Sequence, residues 1–221
     1  MSVSNKINPH ALDEAQCPSE MFEIMEHPTE SFDPYNDKPV STNSFATRAE
    51  SHAKGLWHCS VHIWIVKSPS LVLLQKRSLN KDTFPGSSLA GRWDISSAGH
   101  IEAGKSPLEA AHAEVAEELG IDLKSTHIFN RGLQHAFVIP AEQAPLGGCN
   151  AYEHVYFLHL NENSELKLSL GTEEVTEVTW MDSAKLIESL RSGDDNFAPR
   201  SKQYVVAMEK YINTMNVKRS D

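Results

Sequence analysis

GHIEAGKSPLEAAHAEVAEELGI, the stretch from Gly99 to Ile121, divides into a turn-rich approach and a helix. Ser106 suits an N-cap, Pro107 suits the first helical position, and Glu109 completes an S-x-x-E capping box. Gly120 supplies the C-terminal stop, so the spacing predicts a helix over 107–119. Leu108, Ala111, Val115 and Leu119 recur every three or four residues and predict a buried stripe, while Glu114, Glu117 and Glu118 share an adjacent face.

Carboxylates at i, i+3 and i+4 sit close together and repel one another, a cost that a bound cation removes. An oxygen-only donor set of this kind suits Mg²⁺ or Mn²⁺, which take carboxylates, waters and substrate phosphates as ligands. By itself, E-x-x-E-E is also the sequence of an ordinary solvated helix face. What surrounds the triplet therefore decides its meaning.

Working outward, Val61, Ile63 and Ile65 alternate with His62, Trp64 and Val66, and Leu71–Leu74 follows a Ser-Pro-Ser break, which predicts two antiparallel strands. Met21–Met25 reads as a short strand between two Ser-, Asn-, Asp- and Pro-rich stretches, residues 1 to about 20 and 31–43, which read as extension and long loop. Asn80–Arg92 reads as loop and Trp93–Ala98 as a strand entering Gly99. Further strands are expected at 128–134, 154–160 and 175–181. One helix is expected from a Ser183 cap through Leu190 and another from Ser201 to about Met215. The domain division that follows is an N-terminal extension over 1–45, one α/β domain over 46–216, and a tail over 217–221.

A chain of 221 residues with 40% hydrophobic and 23% charged residues has the composition of one folded domain. Its 20 basic and 30 acidic residues give a net charge of −10, which argues against a nucleic-acid polymer as partner but not against a small anion bound in a locally cationic cleft. Cys17, Cys59 and Cys149 are odd in number and show no C-x-x-C spacing, so a reducing, cytoplasmic compartment is expected, and Cys59 and Cys149 read as packing residues. The polar N-terminus has no apolar signal segment and no run of about 20 apolar residues, so no membrane insertion is expected.

The 99–121 stretch closely resembles the Nudix box, G-x5-E-x7-R-E-U-x-E-E-x-G-U, where U is aliphatic. Gly99, Glu114, Val115, Glu117, Glu118, Gly120 and Ile121 match it in register. Lys105 stands where the family has Glu and Ala113 where it has Arg, so the ion pair that helps orient the family's catalytic loop is missing on both sides. The resemblance implies a Nudix-type α/β/α sandwich with a mixed sheet, and it implies Mg²⁺ or Mn²⁺ held by Glu114, Glu117 and Glu118. A homodimer is a further expectation from the family.

Leu74–Arg77, Lys81–Gly86 and Trp93–His100 are similar to the Nudix branch that contains type I isopentenyl-diphosphate isomerase. By that resemblance Arg77 and Lys81 hold the substrate diphosphate, and a guanidinium fork and an ammonium are chemically suited to it. His52, His58 and His100 match the isomerase's histidine ligands and imply a second divalent-metal site. Ala98 occupies the place of the isomerase's catalytic cysteine, and an alanine cannot shuttle a proton. By comparison with Nudix enzymes, the carboxylate that takes the proton from the attacking water is a box glutamate (Glu117 or Glu118) or lies in Glu173–Glu174, with Glu153 as a further candidate. His62 and Trp64 either line the cleft or cover a second buried face of the sheet.

Three functions are then in play. The leading one is a divalent-metal-dependent hydrolase of a diphosphate linkage in a small organic or nucleoside diphosphate. The others are a catalytically weakened diphosphate-binding module and an isopentenyl-diphosphate isomerase-like enzyme.

Overall fold

A computed structural model describes residues 17, 19–67, 70–79, 89–142, 149–161, 164–171 and 174–217. Its central sheet is built from β3 (His58–Lys67), β4 (Leu71–Arg77), β5 (Trp93–Asp94), β6 (Ser97–His100), β7 (Gln134–Glu142), β8 (Asn150–Leu160) and β9 (Val175–Asp182). The order runs β5-β4-β3-β8-β7, with β6 also on β3 and β9 also on β4. β3 and β8 are parallel and their neighbours are antiparallel, so the sheet is mixed as expected.

Alternation along β3 assigns the two faces. Val61, Ile63 and Ile65 pack with Ala110, Ala111, Val115 and Leu119 of α2 (Pro107–Leu119). Trp64 and Val66 pack on the other side with α3 (Ser183–Ser192) and α4 (Lys202–Val217) through Leu186, Ile187, Tyr204, Val205 and Met208. Two cores on opposite faces of one sheet make the α/β/α sandwich, and Trp64 serves the second core rather than a cleft. Among the described residues, no helix is long and apolar enough to cross a membrane.

Ahead of the sheet, β1 (Met21–Met25) and β2 (Ser41–Thr47) form an antiparallel ribbon, followed by α1 (Arg48–Lys54). β2 begins inside the stretch read as loop because its register does not depend on hydrophobic alternation. Thr42 Oγ1 donates to the Ile24 carbonyl at 2.7 Å, and only Ala46 of the strand is buried. Residues 1–16 and 218–221 lie outside the described residues.

Other differences from the sequence reading have local causes. The strand expected at 128–134 lies instead at 134–142, where Phe137, Val138, Ile139 and Ala141 are buried; Pro140 disguises it, and proline is tolerated because β7 is the sheet's edge. On the outward side of β7, the Val138 amide donates to the Pro34 carbonyl at 2.8 Å. Trp93–Ala98 splits into β5 and β6. Asp182, not Ser183, caps α3, its carboxylate accepting from the amides of Ala184 and Lys185. Leu108 is 46% exposed, so the buried stripe of α2 begins with Ala110 and Ala111.

Candidate active site

The approach to the site is set by α2. Its capping box is complete: Ser106 Oγ accepts from the Glu109 amide, and the Glu109 carboxylate accepts from the Ser106 amide at 2.9 Å. At the other end Gly120 has φ +67°, and a Cβ there would stand 2.6 Å from Ser169 Cβ, so both backbone angle and space demand glycine. The amides of Ser169 and Gly171 donate to the carbonyls of Leu119 and Glu118, strapping the segment that leads into β9 across the end of the helix.

The glutamates divide the face between them. Glu118 is 2% exposed, and its Oε2 accepts from the Ala98 amide at 2.9 Å while Gln75 Nε2 lies 3.4 Å from both oxygens. Glu114 is half-buried, and Glu117 is exposed. A Cβ on Gly99 would meet Glu114 Oε1 at 1.8 Å and Cδ at 2.1 Å, so the bare backbone of β6 is the bed on which that carboxylate lies. The absent side chain is thus a cradle for an acidic group, and the donor set is oxygen-rich, which fits Mg²⁺ or Mn²⁺. Lys105, where the family has Glu, pairs with Glu102 at 2.6 Å in the loop before α2.

Glu174 stands directly before β9. Its amide donates to the Gly171 carbonyl and its own carbonyl accepts from the Ser78 amide, so it sits beside both the end of α2 and the end of β4. Arg77, at that end of β4, is buried and donates from Nη1 to Asp94 Oδ2 at 2.8 Å. Glu173 and Lys81 lie outside the described residues.

Asp94 opens a buried charged chain, of which sequence reasoning names Arg77, Glu153 and His62 but not Asp94 or Arg200. Arg200 pairs with its other oxygen, and Arg200 Nη1 lies 4.0 Å from Glu153 Oε1. His62 Nε2 is 3.8 Å from the same Glu153 oxygen, and His62 Nδ1 is 3.2 Å from the Tyr204 hydroxyl, to which Trp64 Nε1 also donates. Burial works to raise the Asp94 carboxyl, but Arg200 and Arg77 outweigh it and hold it well below the usual carboxylate range. Glu153 is pushed up to about 7 by burial, partly offset by Arg200 and reinforced by Asp94. Burial keeps His62 neutral, its pKa well below the ordinary imidazole value. Near neutral pH, two guanidinium ions thus face one firmly ionised carboxylate and one partly protonated one.

The tightest convergence of ligand atoms among the described residues lies elsewhere. One donor atom from each of His52, His58, His100 and Cys149 falls within 4.8 Å of the others. His52 comes from α1, His58 opens β3, His100 ends β6, and Cys149 immediately precedes β8. Burial lowers the pKa of His52 and His58 to about 4, so both rings are neutral at physiological pH. Cys149, read from sequence as a packing residue, lies 3.4 Å from His100 Nε2, whereas Cys59 is buried in the α2-side core, its thiol pushed up to about 12 by burial.

Comparison with known proteins places these features. The NUDIX domain family matches residues 56–201, from just ahead of β3 to the residue before α4. Nudix hydrolase 3 of Arabidopsis thaliana is 33% identical over 77% of this chain, although the chain spans only 21% of that protein's length. An uncharacterized Nudix hydrolase of Listeria innocua is 32% identical over 75% of this chain and 87% of its own length. Isopentenyl-diphosphate Delta-isomerase 2 of Photorhabdus laumondii is 27% identical over 82% of this chain and 88% of its own. A crystal structure from Deinococcus radiodurans shares the fold with a TM-score of 0.56 at 15% identity, covering 86% of this chain and 98% of that one. A helix whose cap, buried stripe and glutamates all fall in register, inside a match of this extent, leaves one assignment: the chain belongs to the Nudix hydrolase family.

Proposed function

We propose that this chain hydrolyses a diphosphate linkage in a small organic or nucleoside diphosphate, with Mg²⁺ or Mn²⁺ held by Glu114, Glu117 and Glu118. The observation that carries this reading is the bed at Gly99, where a side chain is absent so that the Glu114 carboxylate lies against β6. When bound, the ion supplies polarisation of a phosphoryl oxygen and neutralises charge developing on the leaving phosphate. Glu118 is fixed by the Ala98 amide and so presents its carboxylate in one orientation. Glu174 is the proposed base: water loses a proton to it as its oxygen forms the new bond to phosphorus and the bridging P–O bond breaks. Its backbone ties beside α2 and β4 support that role. Arg77 contributes to the positive potential that attracts the diphosphate, and Lys81 is proposed to reach the phosphates directly.

The test is a panel of nucleoside diphosphate derivatives, capped nucleotides and prenyl diphosphates, each with Mg²⁺ and with Mn²⁺. Turnover is expected for the native chain and its loss in the Glu117→Gln, Glu118→Gln double variant. Full activity in the double variant would overturn the mechanism.

One observation favours a second reading, a diphosphate-binding module with weakened catalysis: Lys105 is engaged by Glu102, and Ala113 offers no cation. Calorimetry showing tight diphosphate binding without turnover under any divalent metal would select it. Isomerase activity is disfavoured by Ala98, and incubation with isopentenyl diphosphate, assayed for dimethylallyl diphosphate, decides it.

A further inference from the structure

We propose that Gln75 is a positioning residue of the α2 cation site, its Nε2 holding the Glu118 carboxylate and its Oε1 accepting a hydrogen from a water at that site. The inference rests on the hydrolase reading for the cation, and Gln75 itself lies outside the 99–121 stretch that carries the glutamates.

Gln75 stands where the sheet opens. β3 pairs with β4 at Val66 and Lys67 and with β6 over Ser60–Ile63. Between these stretches the Ser96 hydroxyl accepts from the Ile65 amide at 2.8 Å and donates to the Leu73 carbonyl at 2.6 Å, so it wedges β4 away from β3. Side chains alternate along β4: Leu73 packs toward α2, Leu74 packs into the opposite core, and Gln75 again faces α2. Across the opening, Ser97 and Gly99 of β6 pair with Ile63 and Val61, whose side chains pack against α2, so Ala98 and His100 face the other way. Gln75, Ser97 and the Gly99 bed of Glu114 therefore share the face beneath the helix glutamates.

Chemistry fixes how Gln75 is turned. The residue is fully buried, and its Nε2 is 3.4 Å from both Glu118 oxygens, astride the carboxylate. A carboxylate that holds a cation only accepts, so the amide presents its NH₂ to Glu118 and its oxygen elsewhere. That buried Oε1 has no hydrogen-bond partner among the described residues, and neither has the Oγ of the fully buried Ser97. A buried acceptor left unmade costs stability, and two such oxygens on one face beside an acidic cluster point to a polar ligand rather than to packing. A divalent ion on carboxylates keeps several waters, whose hydrogens are what these oxygens lack. With Nε2 committed to Glu118 and Oε1 to water, one side chain couples the orientation of a ligand to the hydration of its ion.

The test uses the full chain with Mn²⁺ alone as probe, the free ion being counted by electron paramagnetic resonance. Gln75→Met keeps the length of the side chain and removes both bonds. It is expected to weaken Mn²⁺ binding by ~10–100-fold, while the metal-free melting temperature stays the same or rises because a buried orphan is gone. A packing role would instead lower the melting temperature and leave Mn²⁺ affinity alone. Combined with Glu118→Gln, Gln75→Met should cost less than the product of the two separate losses, since one side chain acts through the other. A measurement on the native chain needs no variant: saturating Mg²⁺ should shift the Gln75 side-chain amide resonances. Native Mn²⁺ affinity in Gln75→Met, independent losses in the double variant, or amide resonances that ignore Mg²⁺ would each overturn the proposal. A native chain that binds no Mn²⁺ would overturn the hydrolase reading as well, whereas native binding that Gln75→Met leaves intact would overturn this inference alone.

Discussion

The two faces of β6 handle charge in opposite ways. On the α2 side, an acidic helix face stays partly open: Glu117 is exposed, Glu114 lies along bare backbone, and only Glu118 is sealed in. On the other side, the His58 and His100 rings are pressed under Phe22. An open, oxygen-rich face leaves room for waters and phosphate oxygens around a hard cation. The other face gathers nitrogen and sulfur atoms instead, covered by an aromatic ring. The two faces thus differ in exposure as well as in the chemistry of their polar atoms.

The sharpest way to break this contrast is the Glu117→Gln, Glu118→Gln double variant. It is expected to lose all detectable turnover while circular dichroism remains native, since the amide oxygen introduced at position 118 can still accept from the Ala98 amide. Next in size, Phe22→Ala should cost about 3–5 kcal/mol in denaturant unfolding, because a fully buried ring is removed and the histidines are uncovered. Unchanged stability would show that the ribbon is not anchored there.

The buried charges around Asp94 and Glu153 titrate with a defined sign. Glu153 has its pKa raised from 4.5 to about 7, so its stabilising contribution is complete below pH 4.5 and is lost as pH rises through 7. Glu153→Gln should therefore gain about 3 kcal/mol relative to the native chain between pH ~4.5 and ~7.5, read from paired urea titrations. Gly99→Ala should cut turnover by about 100-fold with little loss of stability, because the new methyl displaces only the flexible end of Glu114. Smallest, Ser106→Ala should destabilise by about 1 kcal/mol through loss of the cap, read from urea titration.

Legibility from sequence follows locality. The bounds of α2 are readable to the last residue because cap, proline and stop lie within about fifteen neighbouring positions and each acts through local geometry. β7 is misplaced because a proline in an edge strand carries the same letter as a proline in a loop. The Arg77–Asp94–Arg200–Glu153 chain is invisible because its members come from four distant segments, and nothing near Asp94 or Arg200 marks them as buried. The histidine set comes through family resemblance. Cys149 escapes notice because its sequence neighbours are glycine and asparagine, while its spatial neighbour, His100, is 49 residues away.

The outer rim of β7 has a consequence for how copies of the molecule meet. Val138 and Pro140 point their backbone nitrogens away from β8; the first is already engaged by Pro34, and the second carries no hydrogen to give. A stranger's strand laid along this border would find successive donor positions shut. Sheet extension along this margin is therefore disfavoured, by one engaged amide and one missing hydrogen.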